Sequence, residues 1–280
     1  MMHRAIDTYD HISIAEIVIY VPFLIISVFL GFRHGFRRSA GFYFLIILSL
    51  ARIIGSALRL ATISDATNTN LYAGWLTLNN LGLSPLILTL LSLVARVMDS
   101  IHRSGVTILQ PRYRRAVDTI LLVALILSIV GGTQSTYEVT ASSGVQIQYA
   151  SISRVALGLM LAGYVLLCVQ TAMVALRHSL IEAGERRVLL AVALALPFVL
   201  VRIVSSCLRV FAGETATVWR YLGMEVIMEI VAVTICLGMG LTLRRVPKLP
   251  EGTRMEQRSG RRGGRRSGHR NRSSRNTQTV

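Results

Sequence analysis

Residues 52–59 read RIIGSALR, and residues 202–209 read RIVSSCLR. Each octapeptide lies inside a long apolar stretch, and each carries two arginines seven positions apart. An arginine facing acyl chains at mid-span costs about 2.5–3.5 kcal/mol on the insertion scale. At 100° per residue, seven positions return to within about 20° of the same face. Arg52 and Arg59 therefore share one stripe, Arg202 and Arg209 another, and both stripes are expected to face the interior of a helical bundle.

The rest of the chain supplies that bundle. Of 280 residues, 52% are hydrophobic and only 16% charged, against about 25% charged in a soluble domain. The apolar residues gather into blocks of roughly 20 or more, the length that crosses a hydrocarbon core about 30 Å thick. We read seven spans, at about 13–32, 40–62, 71–98, 116–135, 150–176, 188–211 and 218–243. Backbone groups find no water in lipid, so these blocks must be helices. The expected fold is all-α: a seven-transmembrane helix bundle over residues 13–243, with a short N-terminal segment at 1–12.

Charge orients it. Arg33, Arg37 and Arg38 follow the first span; Arg103, Arg112, Arg114 and Arg115 follow the third; Arg177, Arg186 and Arg187 follow the fifth. The alternate connections, 63–70, 136–149 and 212–217, hold no lysine or arginine. Positive residues stay cytoplasmic, so the N-terminus is expected outside and the C-terminus inside. Spans 2 and 6 then run in one direction, and Arg52 aligns with Arg202 and Arg59 with Arg209. This suggests a parallel repeat of three plus one plus three helices, unless the limited vocabulary of apolar helices produced the match by chance.

Partners for the arginines come from spans 1, 3 and 7. Glu225 and Glu229 stand four apart on one face of span 7, and depth counting at 1.5 Å per residue pairs Arg202 with Glu229 and Arg209 with Glu225. Asn79 and Asn80 of span 3 lie opposite Arg52 and Arg59, and Glu16 of span 1 is a further partner for Arg59. Four arginines against three carboxylates leave a positive field that suits an anionic headgroup, a carboxylate or another anion. The alternative is that the pairs only lock packing. Pro22, Pro85 and Pro197 each remove a helical hydrogen bond and are expected to bend their spans. Gly55 and Gly82 permit close helix approach.

The formal charge of +16 is concentrated beyond residue 243, in Arg244, Arg245, Lys248, Arg254, Arg258, Arg261, Arg262, Arg265, Arg266, Arg270, Arg272 and Arg275. This glycine- and serine-rich tail, 244–280, is expected to be disordered and to lie on anionic lipid headgroups of the bilayer. It lacks interleaved aromatics for base stacking, so nucleic acid is not an expected partner.

Catalytic signatures are missing. Lys248, the only lysine, lies past the last span, and all six histidines lie at span ends, in loops or in tails. No HExxH pair, GxSxG elbow or phosphate-binding glycine loop is present. We expect no enzyme, no cofactor and no metal. Cys168, Cys207 and Cys236 fall inside apolar blocks and read as small buried residues rather than disulfides.

The stretch GFYFLIILSLARIIGSALRLATIS with NNLGLSPLILTLLSLVAR, together with LALPFVLVRIV and MEIVAVTICLGMGLTL, resembles a family of fungal multi-pass membrane proteins classed as a domain of unknown function. The resemblance spans roughly residues 10–245 and implies seven spans but no established activity. More distantly the plan is similar to the resistance-to-aminocholesterol, or lipid-translocating exporter, proteins. Those carry an arginine pair with a nearby glutamate in one span, whereas here the glutamates stand on the next span. Three functions fit: a transporter or flippase-like protein for an unknown small molecule or lipid, a seven-helix sensor, and a structural membrane protein. Against the sensor, VARVMDS lacks a receptor-type DRY and span 7 lacks NPxxY.

Overall fold

The computed structural model describes residues 6–34, 40–65, 68–103, 111–140, 144–148, 150–177, 183–212 and 217–242. The chain divides into a helical unit, Met1–Leu243, and a second segment, Arg244–Val280. That second segment holds the basic tail and lies outside the described residues, as does the disorder expected of it. The helical unit contains α1 (Thr8–His34), α2 (Ala40–Ala61), α3 (Thr69–Leu81), α4 (Leu83–Arg103), α5 (Pro111–Gln134), α6 (Ser151–Leu176), α7 (Ala183–Phe211), a short α8 (Val218–Arg220) and α9 (Met228–Thr242). A π-helical segment, Tyr221–Ile227, joins α8 to α9.

Six segments are long and apolar enough to cross a membrane: Thr8–Arg33, Gly41–Ala61, Thr69–Ile101, Ser151–Leu176, Gly184–Phe211 and Val218–Thr242. This is the signature of a multi-pass membrane protein. The fourth expected span is a helix, α5, but its apolar part is only Thr119–Gln134. At 1.5 Å per residue that part rises about 24 Å, short of a core roughly 30 Å thick.

Several boundaries differ from the sequence reading, each for a local reason. Helix α1 starts at Thr8 rather than near residue 13, because Asp7 and Asp10 cap it reciprocally. The Asp10 amide donates to the Asp7 carboxylate at 3.0 Å, and the Asp7 amide donates to that of Asp10 at 2.9 Å, a capping box built from two aspartates. Span 3 is two helices, with the hydrogen-bond ladder lapsing at Gly82. Pro85 has no N–H to offer the carbonyl four residues earlier, and restarting the helix at Leu83 places the proline in a first turn, where it is tolerated. Gly82 itself keeps right-handed helical angles, φ −58° and ψ −28°. Pro22 and Pro197 lie inside α1 and α7. The arginine-free connection at 136–149 contains an antiparallel hairpin, β1 (Thr136–Thr140) with β2 (Gly144–Gln148), in the register Thr136 opposite Gln148. The runs TYEVT and GVQIQ carry the β-branched residues that favour extended chain.

The α3–α4 rod forms the centre of the bundle. Its most apolar window is 83% buried, against 28% for α1 and 39% for α6, so α4 packs on all sides while the outer helices keep apolar faces turned outward. Leu83, Leu86, Ile87, Leu90, Leu91, Val94, Val97 and Ile101 are essentially inaccessible, and they follow the helical period. Around them pack Leu45 and Leu48 of α2, Leu121 of α5, Leu167 of α6, Val192 and Val199 of α7 and Val233 of α9. Glycines set the closest approaches, as expected of Gly55: a side chain there would meet the Leu78 Cβ at 3.2 Å. Cys236 is buried, Cys168 and Cys207 are half-buried, and all three are free thiols.

Candidate functional site

Both arginine stripes face inward. Arg52, Arg59, Arg202 and Arg209 are 2%, 4%, 1% and 6% exposed, and Glu16, Glu225 and Glu229 are 2% or less. A guanidinium at such burial has no water to solvate it, so its position is set by the acceptors that reach it.

The centre of the network is Glu229, on the first turn of α9. Arg52 of α2 grips its carboxylate with two donors, Nε to Oε1 at 2.6 Å and Nη2 to Oε2 at 2.5 Å. This is the fork geometry that makes arginine–carboxylate pairs strong. Arg202 of α7 approaches from the other side, Nε 2.8 Å from Oε2. The Tyr20 hydroxyl of α1 donates to Oε1 at 2.7 Å. One carboxylate thus collects both leading arginines of the two octapeptides.

Arg202 spends its remaining donors on backbone. Nη2 donates to the Asn79 carbonyl at 3.0 Å and Nη1 to the Glu225 carbonyl at 3.1 Å. The first lies just before the lapse in the α3–α4 rod, and the second lies within the π-helical segment. Both are places where the regular ladder is disturbed, and the Glu225 carbonyl also accepts the Met228 amide. Gly82 makes this closeness possible: a Cβ there would lie 2.9 Å from Glu229 Oε2 and 3.3 Å from Arg202 Nη2.

Glu225 pairs with Arg209, whose Nη1 lies 2.9 Å from both carboxylate oxygens. Ser205 donates to Glu225 Oε1 at 3.0 Å, and the Asn79 amide nitrogen stands 3.4 Å from Oε2. The pairs Arg202–Glu229 and Arg209–Glu225 are therefore those expected from helix rise.

Two other assignments need correction. Glu16 meets Arg52, not Arg59: Arg52 Nη1 lies 3.3 Å from Glu16 Oε1 and also donates to the Asn79 side-chain oxygen. Ser56 donates to Glu16 Oε2 at 2.7 Å, and the Tyr221 hydroxyl is 3.4 Å from Oε1. Arg59 instead binds Asp7 at 2.7 Å and Asp10 at 3.2 Å. Its guanidinium is enclosed by aromatic rings, 4.7 Å from the Trp75 centroid and 5.4 Å from those of Tyr9 and Tyr72, distances at which a cation is attracted to the ring face. The early start of α1 accounts for the second change, because it brings two aspartates beside the end of α2. Asn80 does not join the network; it lines a separate cavity with Ser128, Ser153 and Ser206.

The charge balance changes accordingly. With Asp7 and Asp10 added, Arg52, Arg59, Arg202 and Arg209 face Glu16, Glu225, Glu229, Asp7 and Asp10. The surplus of positive charge expected from four arginines against three carboxylates does not exist. Sequence reasoning missed Asp7 and Asp10 because they stood before the assumed start of the first span. It missed Tyr20, Ser56, Ser205 and Tyr221 because no periodicity separates a hydroxyl facing a buried charge from one facing lipid. The tail residues Arg244, Arg245, Lys248, Arg261, Arg262, Arg265 and Arg266 lie outside the described residues. Among the described residues, no three His, Cys, Asp or Glu side chains are grouped so that they could hold a metal ion.

No curated protein matches the chain. A family model described as a domain of unknown function, DUF7702, matches residues 6–246, a stretch that contains every helix among the described residues and every charged residue of the network. This chain, with its apolar helices gathered on a buried ionic centre, belongs to the DUF7702 family.

Proposed function

We propose that the chain is an integral membrane protein of seven spans, N-terminus extracytoplasmic and tail cytoplasmic on anionic headgroups, in which the ionic network is a lock fixing how the helices pack. The observation that carries this reading is the charge balance: each arginine is ion-paired at 6% exposure or less, which leaves no charge to offer an anion. Removing one partner of a buried pair destabilises a protein by about 3–5 kcal/mol, because the other charge stays behind uncompensated. For the topology, the support is the arginine-free connections at 63–70, 136–149 and 212–217.

A carrier of a lipid or small molecule is the second reading. It is favoured by the convergence of Arg52 and Arg202 on Glu229, with the ladder lapse at Gly82 and the π-helical segment on either side of Arg202. Interrupted helices and π-segments recur where membrane proteins move or bind. On this reading the ion pairs are a closed gate, and the paired octapeptides are the trace of a repeat.

Thermal unfolding of detergent-solubilised Glu229→Gln, beside transfer of a fluorescent phospholipid in proteoliposomes, separates the two. The lock predicts a large loss of stability and no transfer by the wild-type protein. Unchanged stability of Glu229→Gln would overturn it, and wild-type transfer abolished in a folded Glu229→Gln protein would establish the carrier.

A further inference from the structure

We infer that the first turn of α1 is a lid over the ionic network, sealed by the rings of Tyr9, Trp75 and Tyr221 and latched by Arg59. The network is then reached from the end of the bundle where α1 begins, and not from the opposite end. That this end is extracytoplasmic rests on the topology proposed above. The lid itself depends neither on that orientation nor on whether the network is a lock or a gate.

The cover over the network differs in depth at its two ends. Towards the far end runs the α4 column, in which Leu86, Leu90, Val94 and Ile101 are inaccessible; from Leu83 to Ile101 it rises about 27 Å. Towards the near end, Tyr9 and Glu16 stand seven apart on one face of α1, a rise of only about 10 Å. The apolar packing is divided in the same way. The main cluster contains the α4 column, whereas Ile12, Tyr72, Trp75, Leu76, Tyr221 and Val226 form a separate small one, a satellite to the core. The network lies between them: a Cβ at Gly82 would meet both Glu229 Oε2 and Leu48 Cδ1 of the main cluster, and Tyr221 of the small cluster reaches Glu16.

The three rings close on one another, with centroids 5.7 Å apart for Tyr9 and Tyr221, 6.1 Å for Tyr9 and Trp75, and 6.2 Å for Trp75 and Tyr221. Trp75 and Tyr221 are buried and Tyr9 is half-buried, so Tyr9 is the outer ring. Tyr221 joins cover to network. Its hydroxyl lies 3.4 Å from Glu16 Oε1 and 3.5 Å from Asn79 Oδ1. It also begins the π-helical segment that carries Glu225, a kind of segment that recurs at functional sites. Tyr9 stands between Asp7 and Asp10, the two carboxylates that bind Arg59, and the Arg59 guanidinium faces the rings of Tyr9 and Trp75. One cation therefore holds the turn and two of its three rings. The Asp7 side chain is 37% exposed, so water competes for that half of the latch, and a helix end is where local opening costs least.

The test uses the full chain carrying Ser56→Cys, which places a thiol where the serine hydroxyl lies 2.7 Å from Glu16. Sealed microsomes, whose lumen is the extracytoplasmic side, are treated with a membrane-impermeant methanethiosulfonate before and after permeabilisation, and peptide mapping by mass spectrometry reads each cysteine separately. Native Cys236, buried in the main cluster, reports whether the bundle stays folded. Tyr9→Ala and Asp10→Asn are each expected to raise labelling at position 56 by about tenfold or more after permeabilisation, with Cys236 unlabelled, because the opening is local. Leu90→Ala, in the α4 column, should leave labelling at position 56 unchanged. Labelling unaltered by Tyr9→Ala and Asp10→Asn, labelling raised as much by Leu90→Ala, or Cys236 labelled at the same rate would each overturn the lid. Labelling that depends on the lid but occurs before permeabilisation would uphold the lid and reverse the orientation.

Discussion

The guanidinium of Arg202 lies 3.0 Å from the main-chain oxygen of Asn79 and, through its other terminal nitrogen, 3.1 Å from that of Glu225. One side chain therefore supports two helices where their own ladders are disturbed, while its Nε stays 2.8 Å from Glu229. Only a planar fork with several donors can serve three acceptors on two helices at once. Lysine at position 202 keeps the charge but not the fork, so Arg202→Lys is expected to lower stability by about 2–4 kcal/mol, nearly as much as loss of the pair. Thiol-dye labelling of the buried Cys236 during heating measures this; a shift no larger than that of a surface substitution would contradict it.

Glu229 is shared by Arg52, Arg202 and Tyr20. Glu229→Gln strands two buried guanidiniums and should cost about 3–5 kcal/mol. Combining it with Arg52→Met removes one stranded charge, so the double variant is expected to be more stable than Glu229→Gln alone. Strict additivity in such a cycle would mean the two side chains do not interact.

Asp7 and Asp10 both bind Arg59 but differ in burial. The Asp10 side chain is 0% exposed and that of Asp7 is 37%. Asp10→Asn is therefore expected to destabilise by about 2–3 kcal/mol, and Asp7→Asn by about 1 kcal/mol or less, since solvent screens the exposed pair. Equal effects in the same unfolding assay would place the two aspartates in equivalent surroundings.

Gly82 is needed for space rather than for backbone freedom. A methyl group there meets Glu229 Oε2 at 2.9 Å and Leu48 Cδ1 at 3.2 Å, and over-packing of this kind costs about 1–3 kcal/mol. Gly82→Ala should lower the unfolding temperature, and Gly82→Val should abolish folded yield. A helix-propensity gain that stabilised Gly82→Ala would show that the rod can shift away from the network.

Topology has a direct reporter. The substitution Ala141→Asn, followed by the native Ser142 and Ser143, creates an N-glycosylation sequon in the connection between α5 and α6. If α5 crosses the bilayer and the N-terminus is extracytoplasmic, this site is glycosylated in a eukaryotic membrane, and the native sequon at Asn271 is not. A glycan at Asn271 would reverse the orientation.

What the residues alone determined about this protein is the helical class, the approximate place of each apolar helix, the inward direction of the arginine stripes and the pairing of span 6 with span 7. These follow from periodicity and rise, which are local, and from a tight connection that relates the depths of two neighbouring helices. The tertiary structure decided the rest. It gave Glu16 to Arg52, gave Asp7 and Asp10 to Arg59, sent Asn80 to a cavity apart from the network that holds Asn79, and replaced an apparent excess of positive charge with five carboxylates around four arginines. Those outcomes depend on how helices far apart in the chain rotate against each other and on where α1 begins. A single residue's change in rotation moves a side chain by 100°, and nothing in a run of apolar residues records that angle.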